Sequence, residues 1–263
     1  MRYSIFSIMK KLQVKPGQKV HLRDFDPGDT SAAPGDKDEC IAKNEKLTDK
    51  LTDLQELLFA EHKHKLLVVL QGMDTSGKDG TVRHVMRGFK KPTSVELEHD
   101  FLWRVHAQVP AAGEIVIFNR SHYEDVLIVR VHELVPEKVW HKRYDQINAF
   151  ERTLTESGTT VLKFFLHISK EEQAERLQAR IDDPTKRWKF NAVDIEERKL
   201  WGDYQKAYED ALEKTSTRWA PWIVVPSDKK WLRNYVVAKT IVDALEDFRM
   251  EYPKPDLEGV KIG

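Results

Sequence analysis

Residues 66 to 80 read LLVVLQGMDTSGKDG, a continuous apolar run from Leu66 to Leu70 that passes almost directly into a glycine and a GxxxxGK spacing. An apolar segment without alternation fits a strand buried on both faces of a parallel sheet. Such a strand needs helices on both sides, which places the chain in the α/β class. Gly72 and Gly77 bracket the turn that follows, and a backbone lacking side chains there can approach an anion closely. Lys78 supplies a point charge, and a helix starting near Gly77 directs its positive end to the same place. The stretch Gly72, Met73, Asp74, Thr75, Ser76, Gly77, Lys78, Asp79 and Gly80 is therefore a candidate phosphate loop with two irregularities. Asp79 stands where a hydroxyl residue ordinarily binds magnesium, and Asp74 puts a carboxylate inside the loop. Asp74 either holds a magnesium ion or caps the following helix; a carboxylate facing phosphate needs a cation between them, which favours the first reading.

The remaining elements alternate. Residues 1–35 carry three Pro-Gly pairings and little periodicity, the pattern of an extended N-terminal arm packing on the surface or on a partner subunit. Leu47, Leu51, Leu54, Leu57 and Leu58 give a helix over 37–63, and a capped amphipathic helix is expected over 94–109. Three further strands follow at 114–118, 160–168 and 222–225, with helices at 136–157, 169–181, 193–212 and 231–248 between and after them. Residues 36–250 thus form one domain, and 251–263 form a tail. Ser169 and Glu172 make a capping box for a helix that carries Arg176 and Arg180 one turn apart. Beyond it, Pro184 turns DDPTKRWKF into a loop with Lys186, Arg187 and Lys189 around Trp188, which reads as a basic lid spanning about 169–193.

Composition narrows the partners. The 43 basic and 43 acidic residues cancel, so no global field favours nucleic acid, and a polyanion must be held by a local patch. No run of about 18 apolar residues points to a membrane. The lone Cys40 excludes an internal disulfide, and with no secretory signal in view a cytoplasmic protein is expected. His167 lies inside a strand without a second histidine or cysteine at metal-binding spacing, and is expected to be structural.

Chemistry gathers at two other places. Asn119, Arg120, Ser121, His122, Tyr123, Glu124 and Asp125 follow the strand EIVIF, at the end where open α/β sheets bind ligands. Lys78, Arg120, Arg176 and Arg180 offer the charge that phosphoryl transfer needs on its equatorial oxygens. These are the parts of a small nucleotide kinase.

GMDTSGKDGT at 72–81, IFNRSHYEDV at 117–126 and LKFFLHISKEEQAERLQARIDDPTKRWKF at 162–190 closely resemble the polyphosphate kinase 2 family, over about residues 21–248. The resemblance implies a P-loop kinase-like parallel sheet sandwiched between helices, with a helical lid. It also implies phosphoryl exchange between inorganic polyphosphate and AMP or ADP, with guanine nucleotides as further acceptors, dependent on magnesium or manganese. Asp74 then corresponds to the catalytic loop aspartate and Lys78 to the P-loop lysine. Asn119 and Arg120 match the Walker B positions, Arg176 and Arg180 match the lid arginines, and Lys186 and Lys189 lie near the phosphates. Metal would fall to Asp74, Asn119 and Glu124. Asn119 replaces the aspartate of the branch restricted to diphosphates, which aligns the chain with the branch accepting AMP as well (class III). The resemblance further implies a homo-oligomer, a tetramer. One departure is a connection at Gly88–Phe89 about ten residues shorter than the family's usual one. An ATP-dependent nucleoside monophosphate kinase and a non-catalytic polyphosphate-binding regulator are the rival readings.

Overall fold

The computed structural model describes residues 7–78, 86–87, 92–254 and 256, residues 7–9 and 86–87 as backbone only. Asp79, Gly80 and the Gly88–Phe89 connection lie outside the described residues. Five parallel strands form one sheet: β1 (Lys65–Gln71), β2 (Met86–Arg87), β3 (Ile115–Asn119), β4 (Thr159–His167) and β5 (Trp222–Pro226), in the order β2-β3-β1-β4-β5. The run that opened the sequence is the central strand. β1 pairs with β3 through Leu66↔Ile115 to Leu70↔Asn119, and with β4 through Lys65↔Thr159 to Gln71↔Phe165. Four of the strands were legible as apolar runs; β2 is a two-residue edge strand too short to show a pattern.

Successive residues of each strand enter opposite faces. Leu67, Val69, Val116, Phe118, Val161, Phe165, Trp222 and Val224 point to one core, covered by α6 (Glu137–Glu156) and α9 (Trp201–Thr215) through Tyr144, Ile147, Phe150, Tyr208 and Leu212. Leu66, Val68, Leu70, Ile117, Phe164 and Ile223 point to the other. That face is covered by α2 (Lys37–Glu61) and α10 (Lys230–Glu246), with Leu58, Val236, Ile241 and Leu245 between them. A sheet apolar on both faces is what two helical layers require. Among the described residues, no helix is long and apolar enough to cross a membrane.

Four expectations change in detail. The N-terminal stretch contains a helix, α1 (Ser7–Leu12), and then ties into the chain's own sheet edge. Gln13 bridges Ile223 antiparallel, Val14 donates to the Trp222 carbonyl at 2.9 Å, and Val14, Val20 and Leu22 are buried. The helix expected over 94–109 is two single turns, α3 (Ser94–Leu97) and α4 (Trp103–His106). Thr93, not Ser94, forms the cap, in a full capping box with Glu96, and the Asp100 carboxylate takes the Leu102 N–H and breaks the run between the turns. A further turn, α5 (Ile128–Val131), precedes α6, and α7 (Lys170–Asp182) forms the expected helix after β4. The helix expected over 193–212 is likewise divided at Leu200 into α8 (Val193–Lys199) and α9, which leaves Ile195 exposed rather than in the core.

One charged cluster is sealed under the sheet. The Lys163 ammonium donates to Glu151 Oε2 at 2.6 Å, to the Tyr123 hydroxyl at 2.8 Å and to the Thr215 carbonyl at 2.7 Å. Glu151 Oε1 accepts from Tyr123 Oη at 2.7 Å and lies 3.2 Å from His122 Nε2. The cluster ties the segment after β3 to β4, α6 and α9. Removing one partner strands a buried charge, so Lys163→Met should cost about 3–5 kcal/mol in urea unfolding, with part recovered by adding Glu151→Gln. Burial pushes the His122 imidazole below its ordinary value. The unfolded chain therefore binds that proton more readily, and stability should fall as pH drops through about 6.5. A His122→Asn variant should show a flatter unfolding profile between neutral and mildly acidic pH.

Candidate active site

β1 lies where the strand order reverses, β3 to one side and β4 to the other, and the crevice beyond its carboxyl end is where such sheets take ligands. Gly72 begins the turn at φ +152°, and a Cβ there would meet the Leu166 carbonyl at 2.6 Å and Ser76 Oγ at 2.8 Å. Only glycine lets β4 pass this close. Thr75 sits in the left-handed region at φ 63°, and the Ser76 N–H closes the turn on the Met73 carbonyl at 3.1 Å. The Lys78 ammonium reaches back to the carbonyls of Gly72 at 2.6 Å and Met73 at 3.2 Å. Thr75 Oγ1 and Ser76 Oγ are buried and have no hydrogen-bond partner among the described residues.

Opposite the loop stands the segment after β3. Asn119 ends that strand, half-buried, level with Leu70. Arg120 adopts φ 63°, a backbone strain characteristic of functional positions, and donates to Asp74 Oδ1 at 3.1 Å. A cleft of about 170 Å³ opens between the two, lined by Asp74, Lys78, Arg120 and Glu124 and closed by Asn191, Asp194, Glu197, Tyr204 and Tyr208. Burial pushes the Glu124 carboxyl up against the pull of Arg120 and Lys78, and the Asp74 charge adds to the rise. Burial opposes the Arg120 charge as well, but Glu124 and Asp74 outweigh it and its pKa rises. Asp125 is raised to about 6 by burial, despite Arg143 at 2.9 Å.

Asp74 and Glu124 are an oxygen-only donor pair facing one cleft. That suits magnesium, a hard ion that takes one or two carboxylates and completes its shell with water and substrate phosphate. A cation between them would also relieve the burial cost on Glu124. Among the described residues no group of three or more His, Cys, Asp or Glu forms a metal cage.

The lid residues divide. Arg180 pairs with a residue of the cleft wall, its guanidinium 3.3 Å from Asp194 Oδ2. Arg176 faces away from it: its Nε donates to Glu172 at 2.8 Å, one terminal nitrogen to the Thr75 carbonyl at 2.9 Å, the other to the Ser227 carbonyl at 2.7 Å. The expected capping box is half-formed for the same reason. Ser169 caps Glu172, but the Glu172 carboxylate turns to Arg176, while Asp228 takes the Ser169 N–H at 2.8 Å. Lys186 and Lys189 are exposed on the turn after α7, Lys186 paired with Asp183 and Lys189 stacked 5.0 Å over the Trp188 ring. The basic run therefore carries an acidic partner just upstream. His167 is structural as expected, 3.0 Å from the Phe25 carbonyl, and Cys40 is buried with its thiol pushed up by burial.

Sequence reasoning missed the residues that reach the site from far away. Asp194, Glu197 and Arg233 belong to no motif, and Gln173, inside the run 162–190, shares a face with Arg176 and Arg180. Tyr204 and Tyr208 show helical core spacing, and one edge of that packed pair lines the cleft.

The family model for polyphosphate kinase 2 matches residues 35–253. The chain belongs to the polyphosphate kinase 2 family. An AMP/ADP-polyphosphate phosphotransferase of Meiothermus ruber is 54% identical over 97% of this chain and 99% of its own length. An ADP-polyphosphate phosphotransferase of Rhodopseudomonas palustris is 42% identical, covering 93% of this chain and 92% of that one. The crystal structure of polyphosphate kinase 2 from Arthrobacter aurescens TC1 superposes with a TM-score of 0.91 at 44% identity, over 97% of this chain and 94% of that chain. The P-loop kinase fold and the enzyme class expected from the motifs are those of this family.

In this member of the family the close approach at Gly72 is a strict requirement. Gly72→Ala should cost about 1–3 kcal/mol of stability in urea unfolding, as overpacking does. It should also weaken tripolyphosphate binding measured by titration calorimetry.

Proposed function

We propose that this enzyme transfers the terminal phosphoryl group of inorganic polyphosphate to AMP and to ADP, yielding ADP, ATP and a polyphosphate one unit shorter. The reading is carried by the convergence of Lys78 and Arg120 with the carboxylates of Asp74 and Glu124 on one cleft at the end of β1. A phosphate oxygen of the acceptor attacks the terminal phosphorus of the chain, and the bridging oxygen leaves with the shortened polyphosphate. The attacking oxygen is already ionised, so no strong general base is needed, and none of the described residues lining the cleft is a histidine. What the step needs is in-line placement and charge on the equatorial oxygens.

Lys78 and Arg120 meet the transferred group from opposite walls. Arg180 is held ready by Asp194 and swings onto the phosphates when the lid closes. Asp74 orients Arg120 and, with Glu124 and Asn119, would hold magnesium, or manganese in its place. When bound, that ion neutralises phosphate charge that the side chains alone leave uncompensated. Lys186 and Lys189 guide the polyphosphate from the exposed lid. Asn119 and Glu124 accommodate AMP as well as ADP, guanine nucleotides are weaker acceptors, and the enzyme works in the cytoplasm as a homotetramer.

The decisive experiment mixes the protein with polyphosphate, magnesium and AMP, ADP, GMP or GDP, with no other phosphoryl donor. ADP and ATP should form; their absence, with transfer from ATP to AMP instead, would assign the chain to the monophosphate kinases. Lys186→Ala and Lys189→Ala should each raise the KM for polyphosphate at nearly constant kcat. Unchanged KM in both variants would return these lysines to a solvated surface.

A further inference from the structure

Three consecutive carbonyls of the phosphate loop are gripped by side chains of α7 and α10. Gln173 Nε2 donates to the Asp74 carbonyl at 3.1 Å, and Arg176 donates to the Thr75 carbonyl at 2.9 Å. The Ser76 carbonyl takes two guanidinium donors, Arg233 at 2.9 Å and Arg176 at 3.3 Å. Arg176 also bonds the carbonyls of Ser227 at 2.7 Å and Asp228 at 3.1 Å, which fixes the loop to the segment leaving β5. Arg233 comes from the first turn of α10, is buried, and packs so closely that a Cβ on Gly77 would lie 1.7 Å from its terminal nitrogen. Gly77 itself sits at φ +105°. The second glycine of the motif therefore answers to this arginine as well as to any phosphate.

A trans peptide points its C=O and N–H in opposite directions. Pulling the Ser76 oxygen toward α10 turns the Gly77 N–H the other way, away from α10. We propose that Arg233 is a positioning residue of the phosphate loop: with Arg176 it fixes the Ser76–Gly77 peptide plane so that the amide faces the phosphate, without touching substrate itself. Arg176, matched by its motif to a lid arginine that meets phosphate, performs the same task from α7. The inference rests on the phosphotransferase reading only in that the loop binds phosphate.

Arg233→Met should lower kcat by about 10²-fold, the cost of a misplaced reacting group, with KM for the nucleotide changed much less. Arg233→Lys, which keeps one donor and the charge, should recover a substantial part of kcat. Arg233→Ala should be rescued saturably by millimolar guanidinium that leaves the wild type unstimulated. Tripolyphosphate affinity, read by calorimetry without turnover, should fall in the Met variant and return in the Lys variant. Gly77→Ala, which displaces Arg233, should give a loss that is not additive with Arg233→Ala. A folded Arg233→Met with wild-type kcat and wild-type tripolyphosphate affinity overturns the proposal. So do Met and Lys variants equally impaired and equally destabilised, with no guanidinium rescue, since that pattern marks a purely structural arginine. A wild type without phosphoryl transfer whose tripolyphosphate affinity falls in Arg233→Met and returns in Arg233→Lys would count against the activity and not against this assignment.

Discussion

A loop that turns amides toward an anion must turn carbonyls away from it, and each of those buried oxygens requires a donor. Much of the architecture around the cleft answers that requirement. α7 contributes Gln173 and Arg176, α10 contributes Arg233, and the turn after β5 is locked to both through Ser227, Asp228 and the cap at Ser169. The helix that bears the lid is also the one that braces the loop. Its N-terminal half is bonded to the protein's fixed body, while Arg180 and the Lys186 turn extend beyond that anchorage.

The opposing wall is stabilised by different chemistry. Behind Arg120 and Glu124, the Ser121–Tyr123 backbone is pinned by side chains that enter the core: Ser121 accepts from Gln71 at 3.0 Å, and His122 and Tyr123 close on Glu151 and Lys163. Such a sealed ionic cluster contributes little net stability beside an apolar packing of equal volume. It does impose one arrangement, and a left-handed Arg120 needs its neighbours to be immovable. The two walls thus meet as surfaces that are each braced from behind.

The legibility of the sequence followed the range of the interactions. Loop chemistry, the strand-end cluster at 119–125 and the central strand were readable because their residues are adjacent and their chemistry is local. The breaks at Asp100 and Leu200 were not, since apolar spacing continues through both and a side-chain bond or a change of packing partner decides them. Arg176 looked like a phosphate ligand because its spacing to Arg180 is one helical turn, yet residues four apart share a face without sharing a depth. Arg176 is buried against carbonyls while Arg180 pairs with Asp194, which lines the cleft. Arg233 had no local signal at all, because its meaning lies in a contact 157 residues away. Asp183 beside Lys186 was the reverse case, a partner three residues upstream that the i,i+3 spacing contains.

Lys78 has a consequence for the loop it belongs to. Its ammonium bonds the carbonyls of Gly72 at 2.6 Å and Met73 at 3.2 Å, six and five residues back along the chain. The motif's lysine thereby staples the end of the turn to its beginning, and a substitution there removes an internal cross-link as well as a charge.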